Sequence, residues 1–406
     1  MARLKFLLSL ILIILTPACF ASNLESDIHA FNLLTDYKLL FLGGVFVILM
    51  QAGFAVAEGG YENNAKSIIC LLINYIFAIL GTACFGLFCF IIAELGWFEN
   101  LKQISHNMHG WHWNLVFFYT LMATTITTIV GRIIPNTAPI SIYAIMSFII
   151  SAIIFPFFGS WSWGNLVLGG GWLQKLGFID FAGSTVVHSM AAWIVLAGYL
   201  IFKSQRKIEL HKQDIIFEDY KILAFALAGF ILWLAWSGLN VIYITSIHIE
   251  ISNIVFNAFS ALLGAIFASF IFSLIFYRKM SSWADLIKSA LGGLVAITAS
   301  CGFVQISSAL IIGMVAGFLT LQTPHLLTRW IDSKHVREVI VVHGFCGIWG
   351  TLAVSLFNDS VVGLMNRATL WEQGVGVLIN FVWSFGIAYI VFQMMRKMIP
   401  ITEIHE

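Results

Sequence analysis

Charge is scarce in this chain. Only 10% of its 406 residues are charged, against roughly 25% in a soluble domain. That density cannot cover a water-facing surface, which excludes a soluble globular enzyme. An excess of one sign is also missing. Lys+Arg 21 against Asp+Glu 20 leaves a formal charge of +1, so no basic surface for nucleic acid is indicated. Cys19, Cys70, Cys84, Cys89, Cys301 and Cys346 form no CxxC, and most lie inside apolar runs. They read as small buried residues, not as a disulfide or metal framework. No P-loop, nucleophile elbow or paired-acid motif occurs, so neither an energy-coupled pump nor an intramembrane hydrolase is supported. The sequence indicates no enzyme and no cofactor.

What is abundant is apolar. Residues of that kind make up 60% of the chain, aromatics 15%, and the mean hydropathy is +0.93. Residues 1–21 read as a signal peptide: a basic start at Met1–Lys5, a short apolar run at Phe6–Leu15, and Cys19-Phe20-Ala21 as a small-x-small cleavage site. Ten apolar residues are too few to span a bilayer. The remainder, residues 22–400, parses into eleven apolar segments. These are Leu39–Ala57, Ser67–Ile92, Trp113–Ile134, Ile140–Gly159, Phe181–Phe202, Ile222–Asn240, Ile251–Tyr277, Ala284–Ser300, Val304–Thr323, Val339–Phe357 and Gly374–Met395. Most approach the ~20 residues a spanning helix needs. No alternating strand pattern supports a barrel, so the backbone must satisfy itself in helices. The fold class is therefore an all-α polytopic membrane protein with eleven transmembrane helices.

Basic residues set the orientation. With the mature N-terminus outside, the outer loops hold only Lys38, Lys102, Lys175 and Arg367. The inner ends hold the rest of the bias, among them Lys66, Arg132, Lys203, Arg278, Lys279, Arg329, Lys334, Arg396 and Lys397. The C-terminus, with a short tail at 401–406, falls in the cytoplasm of a bacterial-type inner membrane.

The segments also repeat. The second carries Asn74-Tyr-Ile-Phe-Ala-Ile-Leu-Gly81 and the seventh Asn257-Ala-Phe-Ser-Ala-Leu-Leu-Gly264. The fifth carries Val186-Val187-His188-Ser189 and the tenth Val341-Val342-His343-Gly344. Both pairings are five helices apart. An odd offset reverses every helix, which implies two inverted five-helix halves plus one extra helix, with a site at their interface. Ionisable residues inside a membrane are costly and mark function. His188 and His343 would then meet near the midplane. Two neutral imidazoles can share one proton between facing nitrogens, offering a donor and an acceptor without fixed charge. Such a pair suits ammonia or a proton relay. It suits a permanent cation badly, since burying an ammonium ion costs several kcal/mol. Two histidines without nearby cysteine or carboxylate make a poor metal site. His106, His109 and His112 recur every three residues, but Gly110 argues for a solvated loop there.

These words resemble the ammonium transporter (Amt/Mep/Rh) family. The resemblance is carried by Asp180-Phe-Ala-Gly-Ser-Thr-Val-Val-His188, Leu49-Met50-Gln51-Ala52-Gly53-Phe54-Ala55, Gly292-Gly-Leu-Val-Ala-Ile-Thr298, Ile312-Gly-Met-Val-Ala-Gly317 and Val342-His343-Gly344-Phe-Cys-Gly347. It implies eleven helices, a homotrimer with one pore per subunit, and His188 and His343 as twin pore histidines. It also implies Asp180 at the outer end of the site, which agrees with an acid capping the start of a helix.

The same resemblance implies a recruiting Trp and two stacked Phe rings at the outer mouth, with cation–π attraction as the physical reason. Trp161 and Trp163 are the candidates for the first, Trp163 preferred, although Gly169-Gly170-Gly171-Trp172 also fits a Gly-rich pattern. The first ring falls on Phe117, with Phe118 beside it, or on Met122 under the other alignment. The second falls on Leu239, so the paired gate reads as at least half degraded. Those aromatics are equally consistent with an interfacial belt. On the inside, Asn63-Asn64-Ala65-Lys66 and Lys334-His335 replace a basic turn and an acidic pair. The chain stops before the tail through which many members communicate with PII-type proteins, so regulation of that kind is doubtful. Three readings follow: transport of ammonium as ammonia past the histidines; an ammonium sensor with poor conduction and a signalling partner; and a carrier of another small neutral gas.

Overall fold

A computed structural model describes residues 37–59, 64–94, 113–131, 140–163, 171–203, 219–241, 251–357 and 368–398. The proposed leader, the 401–406 tail and the His106, His109 and His112 loop lie outside them. Among the described residues the regular structure is entirely helical. The long helices are α1 (Tyr37–Gly59), α2 (Asn64–Glu94), α3 (Trp113–Gly131), α4 (Ile140–Trp163) and α5 (Ser184–Phe202). After them come α6 (Asp219–Val241), α7 (Ile251–Tyr277), α8 (Trp283–Ile297), α9 (Ile306–Arg329), α10 (Lys334–Phe357) and α11 (Leu370–Met398). Six of these, α4, α5, α7, α9, α10 and α11, are long and apolar enough to cross a membrane by length and composition.

The helices pack through backbone approaches that only small residues allow. A Cβ at Gly81 of α2 would overlap the Phe148 carbonyl and Ser151 of α4. At Gly264 of α7 it would overlap the Leu310 carbonyl of α9, and at Gly347 of α10 the Ser184 carbonyl of α5. The two Asn-x6-Gly words thus do the same job, each pressing its glycine onto a helix two further along the chain. Their asparagines are both buried and both hydrogen-bonded. Asn74 Nδ2 donates to Thr128 Oγ1 at 2.9 Å, within a network where Thr128 Oγ1 donates to Gln51 Oε1 (2.5 Å) and Gln51 Nε2 to Thr125 Oγ1 (3.0 Å). Asn257 Nδ2 donates to the Cys301 and Val304 carbonyls at 2.7 and 2.8 Å.

Those carbonyls belong to the break between α8 and α9, which opens three residues before the end of the apolar run at 284–300. Helix α8 ends at Ile297, and residues 298–304 form turns before α9 begins. Backbone freed from a helix in the protein interior needs other partners. Here Ala182 N–H donates to Thr298 O (3.0 Å), Phe181 N–H to Ala299 O (3.1 Å), and Ala299 N–H to Ser184 Oγ (2.8 Å). The start of α5 and the unwound segment therefore hold each other. Other ends shift more simply. Helix α4 runs past Gly159 to Trp163, and α10 begins at Lys334, where the Ser333 hydroxyl caps Val336 N–H.

Gly264→Val should be poorly tolerated, because a branched side chain would meet Leu310 backbone that cannot move aside. Overpacking of this kind costs about 1–3 kcal/mol. Heat-induced aggregation of the detergent-solubilised protein should set in at a lower temperature than for wild type. Gly386→Ala, where nothing lies within 4 Å of the added carbon, should leave it unchanged.

Candidate functional site

The chain bends sharply before α5. Gly183 takes a left-handed conformation (φ 107°) that an L side chain rarely adopts, and a Cβ there would also overlap Val187. The bend lets one carboxylate cap the helix start. Asp180 Oδ1 accepts Gly183 N–H (3.1 Å) and Ser184 N–H (2.8 Å), while Oδ2 accepts Thr185 N–H (2.7 Å) and Val186 N–H (2.8 Å). Four charge-assisted bonds from the positive end of a helix stabilise the carboxylate in a buried position. The structure thus gives Asp180 the capping role. Ser184 Oγ donates to Val295 O (2.6 Å), which ties α5 to α8. Thr185 Oγ1 and Thr351 Oγ1 lie 2.7 Å apart across α5 and α10.

The cap and the wider π-helical turns at Ser184–Ser189 and Ile340–Phe345 bring the two histidines together. His188 Nδ1 and His343 Nδ1 are 3.3 Å apart, with ring centroids at 5.3 Å and an interplanar angle of 21°. Both rings are buried. A hydrogen bond between two Nδ1 atoms requires one ring to carry Hδ1 and the other to accept it. His188 Nε2 is buried with no hydrogen-bond partner among the described residues.

Behind His188 stands a residue that the sequence did not single out for this role. Trp236 stacks on its imidazole at 4.8 Å and 17°, and Trp236 Nε1 donates to Thr298 Oγ1 at 2.8 Å. Thr298 Oγ1 in turn donates to Leu294 O (2.6 Å). A chain of contacts therefore runs from the end of α8 through Trp236 to His188 and His343. The sequence carried no signal for it, since Trp236 lies about one turn from the end of its apolar segment, where an interfacial tryptophan is equally expected.

The sequence matches a known family across nearly the whole chain: residues 38–406 fit the model described as Ammonium Transporter Family. The chain belongs to the ammonium transporter family. Ammonium transporter Amt2 of Archaeoglobus fulgidus is 31% identical over 410 residues, covering 90% of this chain and 83% of the relative. A putative ammonium transporter of Synechocystis is 31% identical over 386 residues, covering 89% of this chain and 69% of the relative. A solved structure titled "Sensor Amt Protein" superposes with TM-score 0.73 at 26% identity, covering 91% of this chain and 95% of the other. Candida albicans Mep2, at 17% identity and TM-score 0.73, shares the fold, covering 91% of this chain and 86% of its own.

The remaining site candidates are placed as follows. Trp163 ends α4, and its Nε1 donates to Asp180 O at 2.6 Å, so this tryptophan and the Asp180 corner form one unit. Trp161 is buried among Phe158, Trp172 and Trp383 instead. Leu239 and Met122 are both buried. Phe117 and Phe118 lie in α3, with side chains outside the described residues. Among the described residues no group of three or more His, Cys, Asp or Glu could hold a metal ion.

Trp236 should act on the histidine pair through packing and through Thr298 separately. Trp236→Phe keeps a stacked ring and loses a hydrogen bond worth about 1 kcal/mol. Trp236→Ala loses about 3–5 kcal/mol and frees the His188 ring to rotate. Thermal inactivation should rank wild type above Phe and Phe above Ala. The structure of the Ala variant should show the Nδ1–Nδ1 contact lengthened.

Proposed function

We propose that the chain conducts ammonium as ammonia: the cation is recruited outside, deprotonated near the Trp163–Asp180 corner, and passed as the neutral molecule along His188 and His343. The observation that carries the reading is the Nδ1–Nδ1 contact of 3.3 Å between two buried imidazoles. The pair offers polar atoms without fixed charge, and among the described residues no carboxylate adjoins it to offset the several kcal/mol that a desolvated ammonium ion would cost. The four backbone bonds on Asp180 leave it to shape the corner and to bias the local field, with carbonyls and one ring helping to hold the cation. The deprotonated ammonium leaves a proton outside. An imidazole pair can carry a proton inward if one Nε2 takes it up, the shared proton shifts between the Nδ1 atoms, and the other Nε2 releases one.

The frame belongs to the same proposal: eleven spans arranged as two inverted five-helix halves plus α11, with the N-terminus outside after removal of residues 1–21 and the C-terminus in the cytoplasm. The matched seats of Gly81 and Gly264, and of His188 and His343, support it. Assembly is proposed as a homotrimer with one pore in each subunit.

A second reading is supported by the 26% identity to the structure titled "Sensor Amt Protein" and by the serine in Gly183-Ser184-Thr185. In it the same site binds ammonium and conducts poorly. Ammonium-induced current in reconstituted vesicles separates the two. Transport predicts a wild-type current that changes size or proton coupling in His188→Ala. No current, together with calorimetric binding of ammonium, would favour the sensor. Neither current nor binding would exclude both.

The mouth gives a separate test. Leucine has no quadrupolar face for a cation, so Leu239→Phe should tighten ammonium binding by about 0.5–1 kcal/mol, up to a few-fold. Unchanged affinity in calorimetry would mean that Leu239 does not adjoin the recruited cation.

A further inference from the structure

Helix α11 stands outside the proposed inverted halves, and its start docks on the segment that leads to Asp180. Thr369 and Glu372 cap that start reciprocally: Thr369 N–H donates to Glu372 Oε2 (2.8 Å) and Glu372 N–H to Thr369 Oγ1 (3.4 Å). Gly177, left-handed at φ 109°, lies against it, and a Cβ there would overlap the Glu372 carboxylate. A Cβ at Gly376 would overlap the Phe178 ring. Between these two contacts along α11 sits Gln373, which is fully buried.

Gln373 bonds to its surroundings through both ends of its amide. Its Oε1 accepts Ile179 N–H (2.8 Å), and its Nε2 donates to Ile179 O (2.6 Å) and to Thr351 O (2.8 Å). Both amide protons are thereby used. Residues 178–183 belong to no helix, so their backbone groups depend on partners from elsewhere in the chain. Gln373 meets both backbone groups of Ile179, much as a neighbouring strand would, and ties them to α10.

These bonds close a ring. From Gln373 it passes through Ile179 to Asp180, the next residue, and from Asp180 Oδ2 to Thr185 N–H (2.7 Å). It continues from Thr185 Oγ1 to Thr351 Oγ1 (2.7 Å) and returns from the Thr351 carbonyl to Gln373. The ring joins α5, α10 and α11 beside the carbonyl that accepts from Trp163. Asp180 is therefore held from both sides, by four amides ahead of it and by Gln373 behind. Bonds in such a network support one another, so that opening one loosens the rest.

We propose that Gln373 is a positioning residue for cation recruitment: it closes this ring and so sets the Trp163–Asp180 corner against α10, without touching the cation. The proposal rests on the ammonium reading above. It gives α11 a task at the site that neither half of the repeat performs.

Calorimetric titration of the detergent-solubilised full chain with ammonium tests it, because affinity and the number of competent sites are read separately. Gln373→Met keeps the length of the side chain and removes its bonds. Ammonium affinity should fall by about fivefold, with the number of sites per chain unchanged. Thr351→Val opens the ring on its opposite side with little change of shape, and it decides the matter if the Met variant fails to fold. It should weaken binding to a similar degree. The double variant should be little weaker than either single one, whereas independent losses would multiply to about 25-fold. Gln393→Met, near the other end of α11, should bind as wild type does. Fewer sites at unchanged affinity in the ring variants would show that these residues only hold the fold together, and would overturn the proposal. Unchanged affinity, or fully multiplied losses in the double variant, would overturn it as well. A wild type that neither binds nor conducts ammonium would instead remove the reading on which the proposal rests, and both would fall.

Discussion

Two imidazole nitrogens 3.3 Å apart cannot both point a proton at each other. One must donate and the other accept, and that rule ties the protonation of His188 to that of His343. Much of the structure around them serves to hold this contact in a buried position. Neither ring could be left to find its own orientation, because a buried imidazole with no partner on either nitrogen costs several kcal/mol. The contact is therefore a constraint on the packing of α5 against α10, and the side-chain bond between Thr185 and Thr351 repeats it nearby.

The supports on either side differ in kind. Towards Asp180 the support is electrostatic and built from backbone: one carboxylate closes four amides, and the unwound 298–304 segment takes up Phe181 and Ala182. On the flank it is a flat apolar surface, the Trp236 indole, fixed at its own far edge by Thr298. The interruption after α8 links the two. Its residues accept from Trp236, from Asn257 and from the start of α5, so a displacement there would reach the histidines by more than one route. Continuous helix at this point could not present Thr298 and the Cys301 and Val304 carbonyls to three different neighbours.

The matched Val-Val-His words made the meeting of the histidines legible, because a polar residue in an apolar run has few ways to be satisfied and two such residues at one helix offset satisfy each other. Asp180 was legible as a cap for a similar reason: an acid just before an apolar run has four free amides in front of it. The Asn-x6-Gly words were readable as a repeat, though the bonds made by Asn74 and Asn257 differ, one to a side chain and the other to an unwound backbone. Trp236 was hidden, since tryptophan in a membrane protein is common at interfaces and the sequence carries no depth. The break between Ser300 and Val304 was legible, but its start three residues earlier, after Ile297, was not. Thr298-Ala-Ser-Cys-Gly-Phe-Val304 is nearly as apolar as the helix before it, and what unwinds it is a set of partners from distant parts of the chain. Trp161 and Trp163 were close to indistinguishable in sequence. The bond from Trp163 to the Asp180 carbonyl, and the burial of Trp161 among other rings, separate them.

The shared proton is the central claim, and it can be observed directly. In protein labelled with 15N at histidine and assigned through single His→Gln variants, the account predicts a scalar coupling between His188 Nδ1 and His343 Nδ1 across the hydrogen bond. One nitrogen should show the shift of a protonated imidazole nitrogen and the other that of an unprotonated one, or the two should exchange between those states. Two Nδ1 atoms that are both protonated at neutral pH, with no coupling between them, would contradict it.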